Sequence, residues 1–296
     1  MARPGRRRRR APAVALVGPA VVVLALLAVV PIAGAMWTSL HHDLGLGDRR
    51  FVGIDNYGAL AGDSAARGAL VFTLIFVGVS VPLELGLGFG MALLMHRALA
   101  ARGALRALLL VPWAIPTVVT SWMWLYIFDG DRGILNYLIF GANTQDYVTF
   151  LRHTWLARGA VIVADVWKTT PFVALLILAG LQSIPREVYE AARVDGASRL
   201  RQFVSITLPL VRPAVLVALL FRTIDAFRVF DLVYVMTSGR AGTSVLQYLG
   251  YQRLINESDY GMGSALAVVV FLLIGVVSVF YVRFVGAALV RGEGRA

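Results

Sequence analysis

The chain is 296 residues long, 58% apolar and 15% charged, with a formal net charge of +11 and no cysteine. Soluble domains run nearer about 45–50% apolar and 25% charged, so an ordinary soluble enzyme is excluded and the composition reads as an all-α polytopic membrane protein. The missing cysteine excludes disulfides, thiolate catalysis and zinc-thiolate sites. The basic excess, with Arg3 and the run 6–10 supplying six of 28 Lys and Arg and the rest mostly in short loops, favours membrane topology over a nucleic-acid footprint.

A crossing takes about 20 apolar residues, and six stretches qualify: 13–40, 69–95, 104–128, 160–181, 213–236 and 263–290. The expected organisation is a basic cytoplasmic tail at 1–12, a transmembrane domain of six helices at 13–290 and a cytoplasmic C-terminus at 291–296. The first stretch has a basic lead and small residues at 33–35. Its apolar core is longer than the roughly 7–15 residues of a signal peptide, so it is read as a retained span.

In span two, Gly78, Pro82, Gly86 and Gly90 recur every fourth residue. That spacing predicts a smooth face on which another helix packs closely. Glu84 is a lone acid at mid-membrane depth, read as a hydrogen-bonded packing residue whose partner the sequence does not name. In span three Pro112 and Pro116 remove backbone donors and permit a bend. Trp122, Trp124 and Tyr126 gather at its outer end, where an interfacial aromatic belt is expected.

Span four carries Asp165 and Lys168, and span five Arg222, Asp225, Arg228 and Asp231, each three residues from the next and alternating in sign. Adjacent pairs can neutralise one another along a helix, and Lys168 can sit level with Asp225 across the two antiparallel spans. Two readings stay open: a structural ion ladder fastening the spans, or polar groups that face a pathway together with Trp167 and Thr170.

Orientation follows from the basic residues. With the N-terminus inside, the tail, Arg97, Arg102, Arg106, the arginines from Arg186 to Arg212, Arg291 and Arg295 give 16 inside, against eight outside. Both termini are therefore expected in the cytoplasm, along with the loop at 184–212. In that loop Pro185, Glu187 and Glu190 suit the first turns of a short helix, with Val188, Ala191 and Ala192 as its apolar stripe. Asp195-Gly196 interrupts it. Ser198 caps a second helix with Leu200, Phe203, Val204 and Thr207 on one face, which Leu208-Pro209 is expected to end. Such a segment either rests on lipid headgroups or is a bent element on which a soluble motor pushes.

Glu190, Ala191, Ala192, Asp195, Gly196, Ala197, Ile206, Leu208 and Pro209, at this spacing, resemble the EAA loop of importer-type ATP-binding-cassette permeases. Phe51-Val52-Gly53-Ile54-Asp55-Asn56-Tyr57 and the stretch from Phe230 through Asp231 to Thr237 are similar to the carbohydrate-uptake branch, in particular the first permease subunit of maltose-type importers. Val166-Trp167-Lys168-Thr169-Thr170-Pro171-Phe172 and Phe221-Arg222-Thr223-Ile224-Asp225-Ala226-Phe227-Arg228 resemble the permeases of actinobacterial trehalose importers. The likeness runs from Phe51 to the C-terminus. It departs at Ser238-Gly239-Arg240-Ala241-Gly242, where the branch often has Gly-Gly-Gly-Pro, and it lacks the large periplasmic insert of the maltose permease.

The resemblance implies a type I importer permease fold in a bacterial plasma membrane, with 184–212 as the loop that couples to an ATPase. It also implies the partners: a second homologous permease, two copies of an ABC ATPase, an extracytoplasmic sugar-binding lipoprotein and a sugar, with trehalose expected. A phosphate-binding P-loop needs Gly-Lys-Ser/Thr, whereas the only lysine, Lys168, follows Trp167. ATP and Mg are therefore expected on the partner ATPase, with no cofactor in this chain. His41, His42, His96 and His153 lack metal-ligand spacing, and no Gly-x-Ser-x-Gly elbow is present, so neither a metal site nor a catalytic residue is expected. The competing expectation is a proton-coupled secondary transporter that uses Glu84, Asp165 or Asp225 as its relay.

Overall fold

The computed structural model describes residues 10–45, 47–96 and 102–286. Residues 1–9 of the expected tail, Arg97 and the C-terminal segment with Arg291 and Arg295 lie outside the described residues. In chain order the elements are α1 (Arg10–Ser39), β1 (His41–His42), β2 (Arg50–Phe51), α2 (Asp55–Gly62), α3 (Ser64–His96), α4 (Arg102–Ala114) and α5 (Thr117–Ile127). There follow α6 (Ile134–Phe140), α7 (Thr154–Gln182), α8 (Arg186–Val194), α9 (Arg199–Gln202), α10 (Leu208–Phe227), α11 (Asp231–Met236), α12 (Leu246–Tyr251) and α13 (Tyr260–Phe280).

Among the described residues five helices are long and apolar enough to cross a membrane: α1, α3, α7, the continuous run Arg199–Phe227 and α13. The sixth expected span is broken, because α4 and α5 meet at 88°. A bend was predicted there, and the structure makes it an elbow. Pro116 stands at the N-cap of α5 with φ −55 and ψ 139, and the residue before a proline is pushed out of the helical region, so the chain leaves the helix at Ile115.

Span five is displaced from its expected 213–236. Leu208-Pro209 does not end the second loop helix. A π-helical stretch, Phe203–Thr207, carries α9 directly into α10, and Pro209 falls in the first turn of α10. Leu200 and Val204, expected on the packed face, are exposed, while Thr207 is buried. At the other end α10 stops at Phe227 with Arg228 as its C-cap. Asp231 opens a separate helix instead of prolonging the span.

The chain divides into two contact units. One comprises residues up to 61 together with 250–268. Within it the stretch of α1 from 19 to 34 is exposed on every side, Leu24 at 67% and Leu27 at 71%, as befits a helix whose solvent is lipid. The β1–β2 hairpin is antiparallel, pairing His41 with Phe51. Buried Asn56 donates from Nδ2 to the carbonyls of Ser39 and His41 at 2.8 and 2.9 Å, and the Tyr57 hydroxyl lies 2.6 Å from Ser39 Oγ. The Asn-Tyr pair noted in the sequence thus stitches the end of α1 to α2.

The other unit, 62–249 with the residues from 269, is built on α3, α7 and α10. On α3 the buried positions Phe72, Phe76, Ser80, Glu84, Gly88 and Ala92 recur every fourth residue. The predicted packing row, Gly78, Pro82, Gly86 and Gly90, is exposed. Two residues out of register is about 200° around a helix, so the smooth row lies on the opposite side. Nothing approaches within 4 Å of a Cβ placed at Gly78, Gly86 or Gly90, whereas one at Gly88 would meet Val173 Cγ1 at 2.8 Å. Lipid tails are as apolar as leucine, so close contact and polar bonds, rather than hydrophobic expulsion, hold such helices together.

Two apolar layers result. Phe72, Phe76, Val161, Ala164, Ala226 and Leu232 belong to one, and Ala92, Met95, Val173, Ile177, Leu181 and Val211 to the other. Along α3, α7 and α10, Glu84, Lys168, Arg222 and Asp225 fall between the two layers, with Asp165 at the edge of the first. Trp124, expected in an outer aromatic belt with Trp122 and Tyr126, instead packs against the first layer, stacked on Phe128 at 5.5 Å. Trp122 and Tyr126 are exposed.

Candidate functional site

The polar layer is organised by one guanidinium. Arg222, 1% exposed, stands on α10 between Glu84 of α3 and Asp165 of α7, themselves 0% and 5% exposed. Its Nε and Nη2 donate to both oxygens of Glu84, Nη2 also to Asp165 Oδ2, and Nη1 to Asp225 Oδ2 at 2.8 Å. Only arginine offers such a planar fork, and a charge at this depth is tolerable only when paired. Glu84 therefore has the partner that the sequence left unnamed. Their separation of 138 residues is why no local pattern revealed it.

The alternating ladder along span five is corrected by this geometry. Of its expected steps, the Arg222–Asp225 pair forms. Arg228 and Asp231 lie beyond the helix end, and no ion pair joins them among the described residues. Asp165 bonds Arg222, and Lys168 pairs with neither Asp165 nor Asp225. Instead its Nζ donates to the carbonyl of Ile115 at 2.7 Å, with that of Trp113 at 3.5 Å. Those carbonyls are ones that the α4–α5 elbow removes from helical bonding, and unpaired backbone groups are costly in an apolar medium. The lone lysine of the chain is used to satisfy them.

A cavity of about 140 Å³ opens beside this layer, lined among others by Lys168, Thr169, Asp225, Arg228, Phe230 and Asp231. Asp225 directs a side chain that is 72% exposed toward this space while holding Arg222. Five of the seven candidate pathway residues, Lys168, Arg222, Asp225, Arg228 and Asp231, thus line one pocket. Trp167 and Thr170 do not. Trp167 sets its ring edge-on to Trp124 at 5.8 Å, and buried Thr170 donates its hydroxyl to the Val166 carbonyl at 2.6 Å. Thr117, Thr169 and Phe230 also line the pocket; the sequence did not single them out as pathway residues, because neither charge nor spacing distinguishes them.

The second feature is the loop joining α7 to α10. Helix α8 closes in a Schellman turn: Gly196 N donates to Arg193 O at 3.1 Å and Ala197 N to Ala192 O at 2.9 Å. Gly196, at φ +77, occupies the left-handed position that the motif reserves for glycine. Ser198 Oγ then accepts from Arg201 N at 3.3 Å as the N-cap of α9. Ala192 is buried, and the Tyr189 hydroxyl lies 3.0 Å from Thr207 Oγ1, which ties α8 to the foot of α10. Outward the loop presents Glu190, 63% exposed at its side chain, with Val194 and Leu200 at 89% and 73%. Val188 and Ala191 of the expected apolar stripe are exposed as well. Leu208 and Pro209 continue into the span.

A family profile described as "Binding-protein-dependent transport system inner membrane component" matches residues 84–290. Over 281 residues the chain is 40% identical to the trehalose transport system permease protein SugA of Mycobacterium tuberculosis, covering 94% of this chain and 90% of that one. Over 268 residues it is 40% identical to the trehalose/maltose transport system permease protein MalF of Thermococcus litoralis, covering 90% of each. In fold it matches a chain of a bacterial ABC transporter involved in importing the acidic polysaccharide alginate, with a TM-score of 0.81 and 21% identity over 95% of this chain and 96% of that one.

Proposed function

Because the chain belongs to the family of binding-protein-dependent transport system inner membrane components and is a permease subunit of an ABC importer, we propose that it carries a disaccharide of the trehalose kind. The observation that carries the mechanism is that one pair of helices serves both features. The exposed loop is anchored to α7 and α10, and those two helices bear Asp165, Lys168, Arg222 and Asp225 of the polar layer.

In this reading Glu190, Ala191, Ala192, Asp195, Gly196 and Ala197 meet an ATPase subunit in the cytoplasm. Leu208 and Pro209 transmit its motion, because α9 has no break from α10. Two ATPase copies bind ATP and Mg, and an extracytoplasmic binding protein delivers the sugar. Lys168, Asp225, Arg228 and Asp231 offer hydroxyl-binding donors and acceptors with the Phe230 ring beside them. A cavity of about 140 Å³ is below the range of roughly 300–1,000 Å³ usual for ligand sites. A second, homologous permease therefore completes the wall. The proton-relay alternative finds no support, since Glu84, Asp165 and Asp225 are all engaged by Arg222.

The test is uptake of labelled trehalose into proteoliposomes holding the whole importer, in competition with maltose and glycerol phosphate. Uptake that requires ATP and is displaced by unlabelled trehalose is expected. Uptake driven by a proton gradient alone refutes the mechanism, and displacement by glycerol phosphate rather than either sugar refutes the substrate class.

A further inference from the structure

We propose that the pocket bounded by the coupling loop and the ends of α3 and α7 binds the phosphate headgroup of an anionic phospholipid. The inference rests on the cytoplasmic placement of 184–212 given above. The pocket holds about 940 Å³, with Arg193 of α8 and Arg199 of α9 at its wall and Leu93 of α3 and Leu181 of α7 on its lining. None of the candidate pathway residues lines it.

Charge is concentrated here. His96 also lines the pocket, and Arg106 and Arg186 stand within its electrostatic reach. Arg106 donates from Nη2 to the Met95 carbonyl at 3.0 Å, while its Nε is buried without a partner. The acid nearest Arg193 is Glu190, 3.8 Å away, with both side chains more than 60% exposed, so screening leaves that pair weak. The other polar groups satisfy one another: Tyr189 with Thr207, and Gln202 Nε2 on the Ala197 carbonyl at 2.8 Å. Arg193 keeps its Nε on the Tyr189 carbonyl, and the Arg199 side chain makes no hydrogen bond or ion pair among the described residues.

Lipid is chosen over a free anion because of Leu93 and Leu181. Both belong to helices long enough to span, near the ends that carry the loop, which sets the pocket at the depth where acyl chains meet headgroups. Basic pockets between helices on the cytoplasmic side are suited to anionic headgroups. An inorganic phosphate would gain nothing from apolar walls.

The experiment uses the whole importer in nanodiscs of phosphatidylcholine, of phosphatidylcholine with phosphatidylglycerol, and of phosphatidylcholine with inorganic phosphate in the buffer. Lipid retained on the intact complex is counted by mass spectrometry after mild detergent extraction. Selective retention of phosphatidylglycerol is expected, with affinity falling about fivefold for each charge removed in Arg193→Gln and Arg199→Gln and returning in Arg199→Lys. Arg199→Gln alone, at an exposed position, serves if the double variant fails to assemble. Equal retention of phosphatidylcholine, unchanged affinity in Arg199→Gln, or displacement of the lipid by inorganic phosphate overturns the site.

A Ser198→Cys variant, in a chain without other cysteines, separates the two readings. Labelling by an impermeant thiol reagent from the outer side overturns the orientation and the inner-leaflet source together. Lipid indifference with inner-side labelling overturns the site alone.

Discussion

The ammonium of Lys168 on α7 stands 2.7 Å from the carbonyl oxygen of Ile115, 53 residues earlier in the chain. That bond is how a helix broken at 88° is tolerated inside an apolar layer. Lys168→Met removes the donor and leaves the elbow carbonyls unpaired. The expected cost is about 1–3 kcal/mol, read as a lower midpoint in thermal unfolding of the purified complex. Lys168→Gln, which retains a donor, recovers part of the loss. An unchanged midpoint in Lys168→Met would mean that the elbow stands without the lysine.

Arg222 is shared by three carboxylates, two of them buried. Arg222→Met strands Glu84 and Asp165 without a counter-charge, and breaking a buried pair from one side costs about 3–5 kcal/mol. Little assembled complex is expected on size exclusion in detergent. Glu84→Gln, which keeps an acceptor for the guanidinium, should assemble at a yield well above that of Arg222→Met. Wild-type yield for Arg222→Met counts against the polar layer as a fastening.

Asp225→Ala separates transport from assembly. Its carboxylate is 72% exposed at the side chain and is one of three acids on Arg222, so the stability change should stay within the roughly 0–1 kcal/mol of exposed pairs. ATP-driven sugar uptake should fall by tenfold or more, about 1.4 kcal/mol, while the yield of complex holds. Loss of both together returns Asp225 to a structural role.

Gly196→Val tests the coupling loop. At φ +77 a side chain costs about 1–2 kcal/mol, and a β-branched one is the worst tolerated there. The loop should remain attached through Ala192 and the Tyr189–Thr207 contact but present Glu190 at a changed angle. Sugar-stimulated ATP hydrolysis should drop while basal hydrolysis by the ATPase persists. Full stimulation in the variant would detach the loop from coupling.

The long apolar helices, the turn at Gly196 and the cap at Ser198 were legible in the sequence because each is fixed within a few residues. Hydropathy misplaced the end of span five, since Val229, Phe230 and the apolar side chains of α11 continue the signal past the break at Arg228. The periodicity of small residues on α3 was real, but it marked the outward face. The buried row mixes Phe72, Glu84 and Gly88, whose common property is position rather than type. Prolines announced a bend in span three, yet the freed carbonyls find their donor in Lys168, a partner no window around Pro116 contains. The Glu84–Arg222 bond has the same character, and only the fold brings its two ends together.

From Gln202 to Arg222 the backbone stays helical through the π-helical stretch, a rod about 30 Å long at 1.5 Å per residue. Pivoting such a rod by about 5° sweeps its tip through roughly 2.5 Å, comparable with the length of a hydrogen bond. A small tilt imposed at the loop would thus be enough to part Arg222 from Glu84 and Asp165, to which it is bonded on the neighbouring helices. Were the loop driven as proposed, leverage of this kind would turn a shallow movement at one end of the rod into an exchange of charge partners about 30 Å away.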